Sequence, residues 1–340
     1  MPDGQTLLLI ITVLIALGFD FTNGFHDTAN AVATSISTRA LSPGFAVLLS
    51  AVLNLVGAVV AIEILHSHVS NTIGGLVAPR GGVALPMIIA ALIGAIAWNL
   101  ATWRLGLPSS SSHALIGALI GMGIVGYGFS AVKWGQVIPV VLALVTSPLA
   151  GLVLAYLFSA LLLNVFRKAL PGNANRRFRF LQIFSGSFVS FSHGANDAQK
   201  TMGVVTLALI GTHHLAAPAG HFPEPPLWVV VAAASAIGLG TYAGGWRIIR
   251  TLGMRVIRLE PVDGFAAQTM AAAVIQGATQ LALPVSTTHV VSGAVMGAGV
   301  TRRAGAVRWG IARNIMVAWV LTIPATAAVA ALCALIAGAL

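Results

Sequence analysis

Residues 21–30 read Phe21-Thr22-Asn23-Gly24-Phe25-His26-Asp27-Thr28-Ala29-Asn30, and residues 191–200 read Phe191-Ser192-His193-Gly194-Ala195-Asn196-Asp197-Ala198-Gln199-Lys200. The two stretches match at phenylalanine, glycine and aspartate with an offset of 170 residues (197 − 27). Each lies in an apolar segment long enough to cross a bilayer, where a charged side chain is costly and usually retained for function. Two aspartates in register therefore indicate a duplicated functional element.

Composition places the chain in a membrane. Of its 340 residues, 57% are hydrophobic and only 8% are charged, whereas a soluble domain carries about 25% charged residues. Several continuous apolar stretches reach the roughly 20 residues that a helix needs to cross hydrocarbon, unlike the alternating strands of a β-barrel. The sequence predicts an all-α polytopic membrane protein. The single cysteine, Cys333, excludes an internal disulfide and argues against a thiolate metal centre.

The net charge of +10 is explained by topology rather than by a nucleic-acid partner, because the basic residues lie between apolar segments. If the basic stretch 167–179 is cytoplasmic, Arg39 and Arg308 can lie on the same side, while Arg80 and Lys133 fall on the outer face. Each half then crosses the membrane an odd number of times. The two halves are therefore predicted to have inverted topology, with both termini outside.

A second duplicated element supports this division. Leu107-Pro108-Ser109-Ser110-Ser111-Ser112-His113 is matched by Leu283-Pro284-Val285-Ser286-Thr287-Thr288-His289, with an offset of 176 residues (289 − 113). A repeat of this length is too long for a solenoid unit and fits the two-half construction of secondary transporters. We expect a first inverted repeat in residues 1–166, a basic cytoplasmic linker at 167–179 and a second inverted repeat in 180–340.

The two duplicated segments 107–113 and 283–289, called the Pro-Ser segments below, predict helix starts, since proline and hydroxyl residues favour the first helical turn. A helix N-terminus inside the membrane presents unpaired N–H groups and the positive end of the helix dipole, which suit an anion. The neighbouring hydroxyls add further donors with little fixed positive charge. Two such clusters fit a small oxyanion accompanied by cations. The simpler alternative is that these serines only cap ordinary helices.

The aspartate motifs predict a polar stripe on each helix that carries them. At about 100° per residue, Asn23, Asp27 and Asn30 share one face of the first helix, and His193, Asp197 and Lys200 share a face of the second. Such a stripe faces protein or a water-filled cavity rather than lipid. It could also be a polar seam that joins helices, but carboxylates are seldom needed for that purpose.

At these four motifs the chain closely resembles the PiT family of inorganic phosphate transporters, over roughly residues 15–330. The resemblance implies cation-driven uptake of phosphate, inverted repeats with broken helices and re-entrant helical hairpins, and a homodimer. Two departures look like the bacterial low-affinity branch, which is proton-coupled, takes phosphate as a neutral complex with a divalent metal and lies in the inner membrane. His26 replaces the asparagine that often precedes the aspartate, and Lys200 stands opposite Asn30, where Na⁺ would otherwise be bound.

We therefore predict a symporter, with H⁺ as the favoured coupling ion, and no catalytic residues, resident metal or cofactor. The predicted phosphate-binding residues are Ser110, Ser111, Ser112, Ser286, Thr287, Thr288, Asn30, Asn196 and Lys200. The predicted residues for the coupling cation or proton are Asp27, Asp197, Asn23, His26 and His193. The alternatives are Na⁺ coupling, or transport of sulfate or another tetrahedral oxyanion by the same fold. An intramembrane hydrolase that uses a serine and a histidine of the Pro-Ser segments is disfavoured, because it would need one catalytic set, whereas the chain has two equivalent ones.

Overall fold

A computed structural model describes residues 4–78, 82–217, 222–257 and 259–339, so Arg80 lies outside the described residues. The chain is almost entirely helical in these ranges. Its α-helices are α1 (Gly4–Ser37), α2 (Pro43–Glu63), α3 (Val69–Gly74), α4 (Leu85–Leu105), α5 (Ser111–Tyr127), α6 (Trp134–Val165), α7 (Pro171–Gly211), α8 (Leu227–Ala243), α9 (Trp246–Arg250), α10 (Pro261–Gln280), α11 (Thr287–Val300) and α12 (Trp309–Ala339). Short 3-10 turns at Phe129–Ala131 and Ala304–Ala306, and a π-helical turn at Thr251–Arg255, complete the helical segments of the described chain.

The helices confirm the prediction of an all-α polytopic membrane protein. Among the described residues, α1, α2, α4, α6 and α12 are each long and apolar enough to cross a bilayer. The segment of α8 and α9 forms a sixth candidate span that is bent by 57° at a short break. The break lies at Gly244 and Gly245, between the end of α8 and the start of α9.

Both aspartate motifs lie within long unbroken helices. The motif of residues 21–30 lies inside the 34-residue helix α1, and the motif of residues 191–200 lies inside the 41-residue helix α7. Helix α7 begins at Pro171, a favoured residue for a first helical turn. Much of the basic stretch 167–179 is therefore the start of α7 rather than an extended loop.

Helices of one half of the chain pack on helices of the other half. Helix α1 packs on α8, and α7 packs on α2. In the same way α5 packs on α12, and α11 packs on α6. Each half therefore covers apolar surface of the other, and the duplicated motifs are held between halves rather than within one of them.

The glycine shared by the two aspartate motifs has a packing role. A Cβ atom on Gly24 would collide with the backbone carbonyl of Ile237 on α8. A Cβ atom on Gly194 would collide with the backbone carbonyl of Asn54 on α2. Small residues permit this close approach of helix backbones in membranes. The duplicated glycines therefore let α1 and α7 reach equivalent positions against the opposite half.

Cavities lie at the two ends of α2. One has a volume of about 830 Å³ and is lined by Arg39, Arg179 and Arg308, with Glu260. It gathers basic residues from three separate segments, as expected if these segments share one side of the membrane. A second cavity of about 440 Å³ is lined by His68 and neighbouring residues that follow α2.

Candidate functional site

The Pro-Ser segments start helices, as predicted. Ser110 is the N-cap of α5, and its hydroxyl accepts a hydrogen bond of 3.1 Å from the backbone N–H of His113. Ser286 caps α11 in the same way, accepting a bond of 3.2 Å from the N–H of His289. This is the usual chemistry of a serine N-cap. Both caps are buried, so two helix N-termini begin inside the protein.

The two N-termini face each other. The ring centroids of His113 and His289 lie 4.4 Å apart. The Ser112 hydroxyl donates a 2.8 Å hydrogen bond to the carbonyl of Val285, in the segment just before α11. The positive ends of two helix dipoles therefore point into one region, and this arrangement favours a negative charge there.

Asp27 on α1 lies against both N-termini. Its carboxylate accepts hydrogen bonds from Ser111 at 3.3 Å, from Thr288 at 3.1 Å and from Thr287 at 3.5 Å. Asn30, almost one turn further along α1, donates a 2.8 Å hydrogen bond to the Thr288 hydroxyl. The first aspartate motif therefore contacts predicted hydroxyls from both halves.

Lys200 on α7 connects the second aspartate motif to the first Pro-Ser segment. Its ammonium lies 2.7 Å from the Asp197 carboxylate and donates a 2.5 Å hydrogen bond to the Ser112 hydroxyl of α5. Both Lys200 and Asp197 are fully buried. A buried ammonium needs such pairing, because an isolated buried charge is very unfavourable.

Two histidines flank the carboxylates. His26 Nδ1 lies 2.6 Å from Asp27 Oδ1. His193 Nε2 lies 3.8 Å from Asp27 Oδ2 and 3.6 Å from Asp197 Oδ2. Asn23 donates a 3.5 Å hydrogen bond from Nδ2 to Asp197. All five residues predicted for the coupling cation or proton therefore meet in one buried cluster.

The same cluster contains a set of possible metal ligands. Ligand atoms of Asp27, His193 and Asp197 lie within 4.8 Å of one another. Two carboxylates and one imidazole suit a divalent ion in chemical terms. The Lys200 ammonium, however, already supplies a positive charge to Asp197. A metal ion bound here would therefore have to compete with this ammonium for Asp197.

Three predicted phosphate-binding residues have structural partners. The hydroxyls of Ser110 and Ser286 act as N-caps. The Asn196 side chain donates hydrogen bonds to Thr279 and to the carbonyl of Leu283, and its oxygen accepts one from the N–H of Val285. Asn196 thus holds the segment that precedes α11. The other six predicted phosphate-binding residues are Lys200 and five residues that lie around Asp27 and Lys200, namely Asn30, Ser111, Ser112, Thr287 and Thr288.

Sequence reasoning missed Asn54 on α2. Its oxygen lies 2.7 Å from His193 Nδ1, and its Nδ2 donates a 3.1 Å hydrogen bond to Thr241 on α8. Asn54 therefore fixes the ring whose other nitrogen faces the two aspartates. The available sequence signal was an amide side chain in a predominantly apolar segment.

Comparison with known proteins identifies the family. A family model described as "Phosphate transporter family" matches residues 23–330 of this chain. The chain belongs to the phosphate transporter family. The matched range contains residues 23–30 of the first aspartate motif, the whole second motif and both Pro-Ser segments, so the site described above lies within the family's shared region.

Relatives extend the match across the chain. A protein of Bacillus subtilis, named as a probable low-affinity inorganic phosphate transporter, is 44% identical over 329 residues, covering 96% of this chain and 97% of its own. A protein of Rhizobium meliloti with the same name is 46% identical over 328 residues, covering 96% and 95%. A solved structure described as "The sodium-dependent phosphate transporter" has a TM-score of 0.85 and 26% identity, and covers 98% of this chain and 100% of that chain.

These comparisons confirm the family indicated by the motifs. The relatives carry the names of transporters rather than enzymes, in agreement with the absence of catalytic residues from the prediction. This phosphate transporter family member is a multi-pass membrane protein.

Proposed function

We propose that the protein imports inorganic phosphate together with coupling protons. The observation that supports this most is the meeting of two helix N-termini, their hydroxyls and one ammonium at two buried carboxylates. Phosphate would lie between Ser111 and Ser112 of α5 and Thr287 and Thr288 of α11. Lys200 would contact its oxygens as a point charge, with Asn30 as a further donor.

Protonation of the aspartates would couple the two substrates. The Asp27 carboxylate now accepts hydrogen bonds from Ser111 and Thr288, so these hydroxyls cannot also donate to phosphate. A protonated Asp27 has lower acceptor capacity and would release them. Protonation of Asp197 would likewise free the Lys200 ammonium for the anion. Protons therefore convert a site closed by its own carboxylates into one that accepts an oxyanion.

The histidines support a proton rather than Na⁺ as the coupling ion. His26 and His193 lie beside the carboxylates, and histidine is the side chain best suited to exchange protons near neutral pH. Lys200 occupies the position that corresponds to Asn30 in the repeat, so a fixed ammonium replaces a neutral ligand. Phosphate is carried alone or as a neutral complex with a divalent metal.

Inverted repeats would let one buried site open to either side. In support, Asn23 contacts Asp197 and Asp27 contacts His193, so α1 and α7 run antiparallel although they occupy matching positions in the two halves. The aspartates and their hydroxyl partners are fully buried, and cavities lie towards both ends of α2. Movement of the Pro-Ser hairpins, which we propose are re-entrant, would join the site to one cavity at a time.

The cellular setting follows from the same proposal. The protein would act in the bacterial inner membrane, with both termini outside and the basic residues of one cavity facing the cytoplasm. We expect a homodimer in which each subunit has its own phosphate site.

Uptake by purified protein in liposomes tests the function. Labelled phosphate should accumulate under an imposed pH gradient, acid outside, in the absence of Na⁺. Excess sulfate should not compete. Accumulation driven by Na⁺ alone would contradict the proton assignment, and competition by sulfate would contradict the phosphate assignment. No accumulation under either gradient would contradict cation-coupled phosphate transport itself.

Na⁺ coupling is the second candidate. It is favoured by the name of the similar solved structure, which is described as sodium-dependent and has a TM-score of 0.85. The two candidates differ in the role of Lys200, since a protein that binds Na⁺ at Asp197 would have to displace its ammonium. The same liposome experiment separates them.

A further inference from the structure

Asp20 is a buried carboxylate that the transport scheme does not use. It lies on α1 about two turns before Asp27 and is fully buried. Neither of its oxygens has a hydrogen-bond partner in the described part of the chain. A buried ionised carboxylate without a partner is strongly unfavourable. Its burial therefore requires that it take up either a metal ion or a proton.

The register of α1 and α7 shows what faces Asp20. Asn23 contacts Asp197 at 3.5 Å, and Asp27 contacts His193 at 3.8 Å. Residue numbers rise along α1 while they fall along α7, so the helices are antiparallel here. One turn before Asn23, Asp20 is therefore opposite the turn of α7 that follows Asp197.

The groups on that turn complete a pocket. Thr201 lies on that turn of α7, and Asn23 lies three residues after Asp20 on α1, so both side chains neighbour the Asp20 carboxylate. The charges of Lys200 and Asp197 are also close enough to interact with it. The Thr201 hydroxyl and the Asn23 side-chain oxygen, like both Asp20 oxygens, have no hydrogen-bond partner within the described ranges. Four buried oxygens without partners are thus contributed by three neighbouring residues of α1 and α7.

We propose that Asp20, Asn23 and Thr201 form a binding site for a hard metal cation, separate from the centre at Asp27 and Asp197. A ligand set made only of carboxylate, amide and hydroxyl oxygens suits Na⁺ or Mg²⁺. The absence of histidine from this set distinguishes it from the neighbouring proton site. A metal ion can be coordinated by all four oxygens at once, whereas a single added proton bridges only two of them.

The local charge supports a cation here. When all three are ionised, Asp20, Asp27 and Asp197 contribute three negative charges, and Lys200 contributes one positive charge. With neutral histidines the cluster has a net charge of −2, and phosphate would make it more negative. A metal ion at Asp20 lowers this charge without occupying the hydroxyls assigned to phosphate.

The proposed pocket breaks the repeat. The position matching Asp20 in the second half (20 + 170) is Ser190. Its hydroxyl donates to Ser50 and to the carbonyl of Gly186. The position matching Thr201 in the first half (201 − 170) is Ala31. The second half therefore has no equivalent oxygen set, and one metal ion per chain is expected.

Thermal unfolding of the purified protein tests the site without any transport step. The wild type is titrated with NaCl, with choline chloride keeping ionic strength constant, and separately with MgCl₂. We expect a saturable rise in the unfolding temperature with one of the two cations. Asp20→Asn should lose most of this rise. Thr201→Val should raise the half-saturating concentration by about tenfold, as for loss of roughly 1.4 kcal/mol of binding free energy.

Thr206→Val is the matched control. Thr206 lies on the same helix, is equally buried and also has no hydrogen-bond partner among the described residues, but it is more than one turn beyond Thr201. It should keep the wild-type titration. No saturable effect of either cation on the wild type, or an unchanged titration in both Asp20→Asn and Thr201→Val, would overturn the site. Phosphate uptake in liposomes is measured in parallel, so that absence of the cation site can be distinguished from a failure of phosphate transport.

Discussion

Lys200 Nζ lies 2.7 Å from Asp197 Oδ1, and both side chains are fully buried. The matching position in the first half of the chain is Asn30 (200 − 170), a neutral residue that donates to Thr288. One half of the site therefore holds a fixed positive charge that the other half lacks. This asymmetry is the main structural reason for assigning different ions to different parts of the site.

Replacing Lys200 with asparagine should make the protein depend on added cations. Asp197 would lose its partner, and breaking a buried ion pair costs about 3–5 kcal/mol. We expect Lys200→Asn to unfold at a lower temperature than wild type in choline chloride and to recover part of the difference in NaCl. Lys168→Asn changes an exposed lysine and should unfold like wild type. Identical unfolding of Lys200→Asn and wild type in both salts would refute the pairing.

Neutralising either aspartate should abolish coupling. Asp27→Asn keeps the size of the side chain but removes the group that takes up the proton, and Asp197→Asn does the same beside Lys200. Phosphate uptake driven by a pH gradient should fall by a factor on the order of a hundred, equivalent to roughly 2.8 kcal/mol. Glu63→Gln changes an exposed carboxylate and serves as the control. Near-normal uptake by both aspartate variants would defeat their proposed roles.

The hydroxyls of one helix start should divide into two functions. Ser111→Ala removes a hydroxyl that faces Asp27, so it should raise the KM for phosphate. Ser110→Ala removes the N-cap of α5, so it should lower stability by about 1 kcal/mol with a smaller effect on KM. The two variants are compared by uptake kinetics and thermal unfolding. An effect on KM from Ser110→Ala as large as that from Ser111→Ala would remove the distinction.

Asn54 should act as a positioning residue for His193. Asn54→Leu removes the oxygen that holds His193 Nδ1, so the protonation of this ring should change. We expect a shift in the pH profile of phosphate uptake with little change in KM. Asn99→Leu alters another buried asparagine, whose side-chain atoms have no hydrogen-bond partner in the described part of the chain. If both variants keep the wild-type pH profile, Asn54 does not position the histidine.

The motif glycine of α1 should tolerate no side chain. Gly24→Val would place atoms against the backbone of Ile237 on α8, and overpacking of this kind costs about 1–3 kcal/mol or more. Its unfolding temperature should therefore fall. Gly18→Val lies on the same helix with open space around it and carries the same propensity cost. Equal unfolding temperatures of the two variants would show that close packing is not the reason for the glycine.

The sequence was sufficient for the helices and for the central cluster because both depend on local or duplicated patterns. Long apolar runs predicted the spans, and hydroxyls after proline predicted the helix starts at Ser110 and Ser286. The polar stripe on α1 followed from helical periodicity. These inferences need no knowledge of which helices are neighbours.

Other features depend on contacts between distant segments. The role of Asn54 required the packing of α2 on α7. The hydrogen bond from the Val285 N–H to the Asn196 side chain also joins segments that are distant in sequence. The pocket at Asp20 required the antiparallel register of α1 and α7. The bend between α8 and α9 lies at Gly244-Gly245, a dipeptide that often marks a break, but the size of the bend could not be read from the sequence.

The central claim is that both hydroxyl clusters and Lys200 surround one phosphate. Anomalous diffraction from crystals grown with arsenate, a heavier tetrahedral analogue, tests it most directly. The account predicts one strong arsenic peak per chain, within hydrogen-bonding distance of Ser111, Thr288 and Lys200. A peak elsewhere, or one peak at each Pro-Ser segment with no shared position, would contradict it.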